Sequence, residues 1–281
     1  MTVVVASRNR REQLLRYLPR HEAPVILVDN ASEDGTADAV SEALPHVHVV
    51  RSVVNLGAAG RNAGAELAET RYVAFADDDS YWEAGALGKA AALLDAHPRA
   101  ALLTGQVLVG ADGRSDPISA AMEAAPLGTP TDLPGPAVLG FLACAAVVRR
   151  DAFLAAGGFN PTLHVYGEEA LLAMDLAAAG WGLAYVPALT VRHLPLPAGR
   201  DVEGRRRRQA RNDLLTSWLR RPLPIAATAA RSAWRTGGAT RAGLADAARL
   251  LPWVLRHRRA LPKHVEAAVR TLTATPEPGR A

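Results

Sequence analysis

Cysteine is almost missing from this 281-residue sequence: Cys144 stands alone in an apolar run. That excludes an internal disulfide framework and a cysteine-based zinc site, and it fits a reducing compartment. Lysine is nearly as scarce, with Lys89 and Lys263 alone against a large excess of arginine. No apolar run is long enough to span a bilayer. The opening TVVVASRNRR has its arginines after the apolar residues rather than before them, the reverse of a secretory signal. The expectation is a cytoplasmic protein, soluble or peripheral at the inner face of the cell membrane. Glycine is absent from the turn after the first apolar run, Ser7-Arg8-Asn9-Arg10-Arg11, where a dinucleotide fold needs it for close approach to a pyrophosphate. The Gly-Lys-Ser/Thr ending of a Walker loop is absent too, so both common nucleotide folds are disfavoured.

What the chain has is a core. Hydrophobic residues make up 49% of it and charged residues 21%, the balance of a globular protein. Charge is unevenly placed. Residues 1–200 carry 15 basic and 22 acidic side chains, residues 201–281 carry 17 and 6, so the body is −7 and the tail +11. The tail therefore suits an anionic partner, a membrane surface or a polyanion.

Strand and helix signals alternate from the start. Thr2 to Ala6 is a β-branched run, followed by a helix from about Arg10 with Leu14, Leu15 and Leu18 on its apolar face. Pro24 to Val28 is a second strand, Ala37 to Leu44 a helix, Val47 to Arg51 a third strand. The glycine-rich Asn55 to Gly64 then enters a helix ending near Glu69, and Tyr72 to Phe75 is a fourth strand. Such alternation predicts an α/β fold with a mostly parallel central sheet and helices on both faces. Further on, Glu83 to Ala96 reads as a helix and Ala100 to Leu108 as a strand. Val109 to Pro136 reads as a long loop, and Asp151 as the N-cap of a helix over 152–156.

The stretch with most chemistry is AFADDDSY, residues 74–81. A buried strand there delivers Asp77, Asp78 and Asp79 together to the carboxyl edge of the sheet. Adjacent carboxylates repel, so the trio is either a solvated acidic turn or a site for a hard divalent cation, Mg²⁺ or Mn²⁺. Glu168 and Glu169 open a helix running to Gly180, where dipole stabilisation alone accounts for an acidic pair. Tyr81, Trp82 and Trp181 are large enough to stack on a ligand's ring or to fill the core.

In sequence order, VVVASRNR, VDNASEDGT, NLGAAGRNAG, FADDDS, GGF with GEEALLAMDLAAAGW, and VRHLP together resemble the family 2 glycosyltransferases, over roughly residues 1–195. The resemblance extends to rhamnosyltransferase-like members. It implies the GT-A nucleotide-diphospho-sugar transferase fold and an inverting transfer from a UDP- or dTDP-sugar to an acceptor hydroxyl on a glycan, a lipid-linked glycan or a small molecule. It implies that Ser7, Arg8 and Asp29 hold the donor's base and ribose, and that Asn55, Gly57, Arg61 and Asn62 lie along its diphosphate. Asp77 and Asp79 match the two ends of the family's D-x-D motif, with Asp77 or Asp78 also touching the ribose. His193 matches a histidine that completes the metal site in several relatives, and an imidazole suits manganese better than magnesium. Glu169 is the expected general base, with Glu168 as the fallback, where the family often carries Glu-Asp. The structural alternatives are a helix start with packing glycines for Asn55 to Gly64, and a structural histidine at 193.

The resemblance fades after about residue 200, so the expected division is a GT-A domain over 1–200 and a basic, mainly helical extension over 201–281. Leu244, Ala248, Leu251 and Leu255 recur at helical spacing and predict one helix over about 241–258. Its apolar stripe packs on the catalytic domain, on a second copy in a homodimer, or on an anionic membrane surface. Residues 273–281 read as a frayed end. The competing functional reading is a non-catalytic nucleotide-sugar-binding module that recruits partners through its arginine-rich tail. A nucleic-acid partner is not expected.

Overall fold

The computed structural model describes residues 1–124, 126–196 and 201–274. Three almost wholly buried segments, β1 (Thr2–Ser7), β2 (Val25–Asn30) and β4 (Tyr72–Ala76), and a more exposed edge strand, β3 (His48–Ser52), build one half of its sheet. The helices α1 (Arg11–Tyr17), α2 (Thr36–Ala43) and α3 (Gly60–Leu67) return the chain between them. These four strands are parallel, in the order β3-β2-β1-β4. Strands buried on both faces need no polar alternation, which is why they read as continuous apolar runs.

The other half contains β5 (Ser80–Trp82), α4 (Ala86–Ala96), β6 (Ala100–Val109), β7 (Arg114–Ser115) and α5 (Pro117–Glu123). It continues with β8 (Ala146–Arg149), α6 (Arg150–Ala155), α7 (Glu168–Ala178) and β9 (Gly182–His193). Strand β8 inserts antiparallel between β4 and β6, β9 lies parallel to β6, and β5 closes the edge antiparallel to β9. Only β5, β7 and β8 run against the direction of the rest.

Alternate strand residues feed two cores. Val3, Val5, Leu27 and Ala74 face α1, α2 and α4 through Leu14, Val40 and Leu94. Val4, Val28, Val73 and Phe75 face α3, α6 and α7 through Ala65, Phe153 and Leu172. Close helix packing on the second face requires a small residue: a Cβ added at Gly64 would stand 2.4 Å from the Val4 side chain.

Five further helices follow: α8 (Val202–Arg220), α9 (Leu223–Thr236), α10 (Gly238–Ala248), α11 (Leu251–His257) and α12 (Lys263–Ala274). They form a third core in which Leu214, Leu215, Leu219, Ala247 and Val254 meet Leu163 and Leu171 at the start of α7.

Several expectations change here. The single helix expected over 241–258 is two, because Pro252 sits in the first turn of α11 and cannot continue the ladder of α10. Its stripe splits accordingly: Leu244 packs on the third core, while Leu251 and Leu255 are 42% and 74% exposed. The expected loop over 109–136 contains β7 and α5, the latter capped by Asp116, whose carboxylate accepts from Ile118 N. Asp151 lies inside α6 rather than before it; the N-cap is Arg149. Of the expected frayed end, Thr273 and Ala274 belong to α12, and 275–281 lie outside the described residues.

Candidate functional site

The carboxyl ends of β1 and β4 are neighbours, and beyond them opens a cleft of about 1320 Å³. In open α/β sheets this is where strand order reverses and loops leave a crevice for ligands. The three aspartates enter it directly from β4. Their mutual repulsion is relieved by three different partners. Arg61 donates from Nη2 to Asp77 Oδ1 at 2.5 Å, Ser7 donates from Oγ to Asp78 Oδ2 at 2.6 Å, and His193 Nε2 lies 3.2 Å from Asp79 Oδ1. Arg10 Nε adds a longer contact to Asp78 at 3.7 Å. Burial, opposed by the Ser7 hydrogen bond and aided by the flanking aspartates, raises Asp78 to about 6.

Histidine 193 reaches the trio through the sheet. The antiparallel register of β5 on β9 sets Ser80 opposite His193, and the turn closes with Leu194 N donating to Asp79 O. One ligand atom from each of Asp77, Asp79 and His193 falls within 4.8 Å of the others. Two carboxylate oxygens and an imidazole nitrogen form a donor set that fits a divalent transition metal or Mg²⁺. Burial pulls the imidazole pKa down, but the hydrogen bond and charge of Asp79 outweigh it, so it is raised overall.

Across the cleft α7 begins with the acidic pair. Glu168 is 4% exposed, and its Oε2 has no hydrogen-bond partner. Burial first, and the neighbouring Glu169 second, push its carboxyl up to about 7. Burial raises Glu169 as well. The counter-charge is Arg61, itself buried and projecting from α3. Burial works against its charge, while Asp77, Glu168 and Glu169 hold it and raise its pKa. One guanidinium thus faces both the aspartate cluster and the glutamate pair.

The glycine-rich segment approaches the loop before α7 very closely. Gly57 has φ +61°, and a Cβ there would stand 2.3 Å from His164 O; the following Ala58 N donates to that same carbonyl at 2.7 Å. Asn55 Oδ1 accepts from Gly57 N, and Asn30 Nδ2 donates to Gly57 O. Among the described residues, the four non-glycine positions with positive φ all belong to segments around this cleft: Asn9, Ala31, His164 and Tyr166. Backbone in that region is sparsely populated and tends to gather at functional sites.

Among the residues singled out from sequence, Ser7, Arg8, Asn55, Gly57, Arg61, Asp77, Asp78, Asp79, Glu168, Glu169 and His193 line the cleft. Asp29 and Asn62 do not. Asp29 is 4% exposed and accepts from Ser32 N through Oδ2; its Oδ1 and that of the next residue, Asn30, are both buried without a partner, but Asn30 is the one that lines the cleft. Asn62 spends both ends of its amide on Phe159, donating to its carbonyl and accepting from its N–H, so it ties α3 to the Gly157-Gly158-Phe159 turn. Arg8 pairs with Glu33 at 2.6 Å. Tyr81 stacks on Tyr17 and under Arg20, Trp82 is 2% exposed with its Nε1 donating to Phe75 O, and Trp181 packs against the second core. None of these aromatics lines the cleft. Arg10, Asn30, Arg205 and Gln209 line it without having been singled out. No spacing pattern marks Arg205 or Gln209, because they arrive from α8 through tertiary packing.

A family model described as glycosyl transferase family 2 matches residues 2–155. A Mycobacterium tuberculosis protein named N-acetylglucosaminyl-diphospho-decaprenol L-rhamnosyltransferase is 30% identical over 205 residues, covering 60% of this chain and 66% of the relative. The match therefore spans just under two thirds of that relative's length. Among solved structures, the Pyrobaculum calidifontis mannosyltransferase PcManGT, in complex with GDP-Man and Mn²⁺, superposes with a TM-score of 0.58 at 21% identity, over 97% of this chain and 85% of that one. GalNAc-T7 with UDP, GalNAc and Mn²⁺ superposes with a TM-score of 0.66 at 16% identity, over 99% of this chain and 58% of that one. At such identities the likeness establishes the fold, the GT-A fold that the motif order implied.

Proposed function

The chain belongs to glycosyl transferase family 2, and on that footing we propose that it is an inverting glycosyltransferase moving a sugar from a UDP- or dTDP-sugar to an acceptor hydroxyl, with a divalent metal at Asp77, Asp79 and His193. The observation that carries this reading is the pairing, across one cleft, of a three-ligand metal set with a glutamate pair of which Glu168 is buried. The metal, when bound, supplies charge neutralisation for the departing nucleoside diphosphate. Ser7, Arg8 and Asn30 at the ends of β1 and β2 hold the nucleoside, and Asn55 and Gly57 let backbone come close to the diphosphate. Arg61 holds the Asp77 carboxylate in place through their ion pair.

Glu169 is the base. An inverting displacement needs one carboxylate on the face opposite the leaving group to take the acceptor's proton as its oxygen attacks the anomeric carbon. Burial raises both glutamates, and a carboxylate with a raised pKa is the better proton acceptor. Glu168, whose Oε2 is buried without a partner, is the fallback for the same role. The M. tuberculosis relative is named for transfer to a diphospho-decaprenol-linked sugar. By that analogy the acceptor here is a lipid-linked glycan of cell-envelope biosynthesis, with residues 1–200 as the transferase domain. No helix among the described residues is long and apolar enough to cross a membrane, so on this reading the protein meets such an acceptor from the membrane surface.

The test is Glu169→Gln. Release of nucleoside diphosphate from UDP-, dTDP- and GDP-sugars in the presence of Mn²⁺ should fall by about 10²–10⁴-fold, with nucleotide affinity within about twofold of the wild type. Unchanged turnover removes Glu169 from the chemistry. Absence of turnover in the wild type toward every donor and acceptor offered favours the binding-module alternative.

A further inference from the structure

The acidic pair is presented by a segment that cannot hold its own shape. Between Asn160 and Gly167 the backbone takes positive φ at His164 (64°), Tyr166 (72°) and Gly167 (87°). Left-handed backbone is unfavourable for a non-glycine residue, and persists only where the surroundings over-determine it. Internal hydrogen bonds are few: Thr162 N to Asn160 Oδ1, Leu163 N to Asn160 O and Val165 N to Leu163 O. The carbonyls of Leu163, Val165 and Tyr166 instead converge on one side chain, Asn212 of α8, which is 0% exposed. Its Nδ2 lies within hydrogen-bond distance of all three, at 2.8, 3.0 and 2.6 Å, its two N–H bonds shared among them.

The neighbouring Arg211 fixes which way that amide faces. Its Nη1 donates to Asn212 Oδ1 at 2.8 Å, so the carboxamide oxygen is occupied and the NH₂ must point into the loop. Its Nη2 donates to Thr162 O at 2.8 Å, anchoring the loop one turn earlier. A Cβ at Gly167 would lie 3.7 Å from Asn212 Cβ, so the last residue before Glu168 rests directly on α8. At the other end of α7, Arg220 of α8 holds Asp175 in a two-point ion pair at 2.5 and 2.9 Å. The helix carrying the glutamates is therefore pinned to α8 at both ends, and the loop before it is gripped between α8 and the Ala58 N–H.

We infer that Asn212, oriented by Arg211, is the positioning residue for Glu168 and Glu169, so that α8 is part of the catalytic apparatus although it lies outside the segment matched to the family. This rests on the reading of Glu169 as base. A buried amide meeting three carbonyls in an irregular loop is a specific device: no apolar residue of similar size can donate, and Asp would turn acceptors against acceptors. Displacement of a base by about 1 Å costs on the order of 10²-fold in rate.

The experiment compares wild type, Asn212→Ala, Arg211→Met and Glu169→Gln as full chains. Titration with UDP, dTDP and GDP in Mn²⁺ counts binding-competent sites, and nucleoside diphosphate release is then expressed per site. A merely structural role lowers sites and turnover in proportion, leaving turnover per site constant. The positioning role predicts that Asn212→Ala loses at least ~10-fold per site with nucleotide affinity retained, and that Arg211→Met loses less in the same direction. Amide exchange over residues 163–169 should accelerate by at least ~10-fold in both, ahead of the rest of α7. Turnover per site equal to wild type, or unchanged exchange in the loop, overturns the inference. If Asn212→Ala does not fold, Arg211→Met decides by the same two readouts. An inactive Glu169→Gln beside fully active Asn212→Ala refutes the positioning role alone, whereas a fully active Glu169→Gln refutes the functional reading beneath it.

Discussion

Glu168 makes the folded protein pay for its site, and the cost can be measured without knowing any substrate. Burial raises its carboxyl from the ordinary 4.5 to about 7. A carboxyl raised on folding binds its proton more tightly in the native chain than in the unfolded one. Below about 4.5 both states are protonated and nothing is lost; between 4.5 and 7 the unfolded chain ionises first and stability drains away; above 7 the full penalty stands. At ~1.4 kcal/mol per pH unit the gap corresponds to about 3 kcal/mol. Glu168→Gln keeps the size and hydrogen-bonding shape of the protonated side chain and removes the titration. In urea unfolding of the metal-free protein, the variant should exceed wild type by about 3 kcal/mol at pH 8.5, and by about 1 kcal/mol at pH 5.5. A difference that is flat across this range, or that grows toward acid, refutes the assignment of Glu168 as a buried carboxyl held neutral by its surroundings.

Two further outcomes follow from the geometry around that pair. Arg61→Met strips Asp77, Glu168 and Glu169 of their shared cation; because Asp77 is about one-third exposed, the loss should fall near the lower end of that for a broken buried ion pair, roughly 2–4 kcal/mol at pH 8 by urea unfolding. An unchanged unfolding midpoint would show that water, not Arg61, compensates the carboxylates. Gly57→Ala must place a methyl 2.3 Å from His164 O at φ +61°, so it should cost about 1–3 kcal/mol in thermal unfolding; a neutral substitution would mean that the glycine-rich segment does not lock onto the loop before α7.

The first four strands and β6 were legible as apolar, largely β-branched runs, and their ends fall within a residue or two of the observed ones; β5, β7, β8 and β9 were not. The aspartates could be placed for the same reason, since the strand before them sets where they emerge. His193 was legible through its motif, and the β5–β9 register accounts for its meeting Asp79. Asp29 and Asn62 show the limit. Neighbouring positions at a strand end face different surroundings, so a motif naming Asp29 does not distinguish it from Asn30, which takes the cleft-facing place. An asparagine in a glycine-rich segment gives no sign that its amide is already committed to Phe159. The tail was legible as helical, but 241–258 read as one helix where the structure has two. Heptad-like spacing from Leu244 to Leu255 overrode Pro252, whose missing N–H ends the pattern. Arg205, Gln209, Arg211 and Asn212 carry no local signal at all. Their roles arise from α8 lying against a loop some 45 residues earlier in the chain.

The central claim, a nucleoside diphosphate held through a metal at Asp77, Asp79 and His193, is tested most directly by calorimetric titration with UDP, dTDP and GDP, each with Mn²⁺ and with EDTA, on wild type and Asp79→Ala. The account predicts that one of the uracil or thymine nucleotides binds in Mn²⁺, that chelation weakens it at least ~10-fold, and that Asp79→Ala reproduces the chelated result whether or not Mn²⁺ is present. Binding that is indifferent to Mn²⁺ and to Asp79, or no binding of any of the three nucleotides, contradicts it.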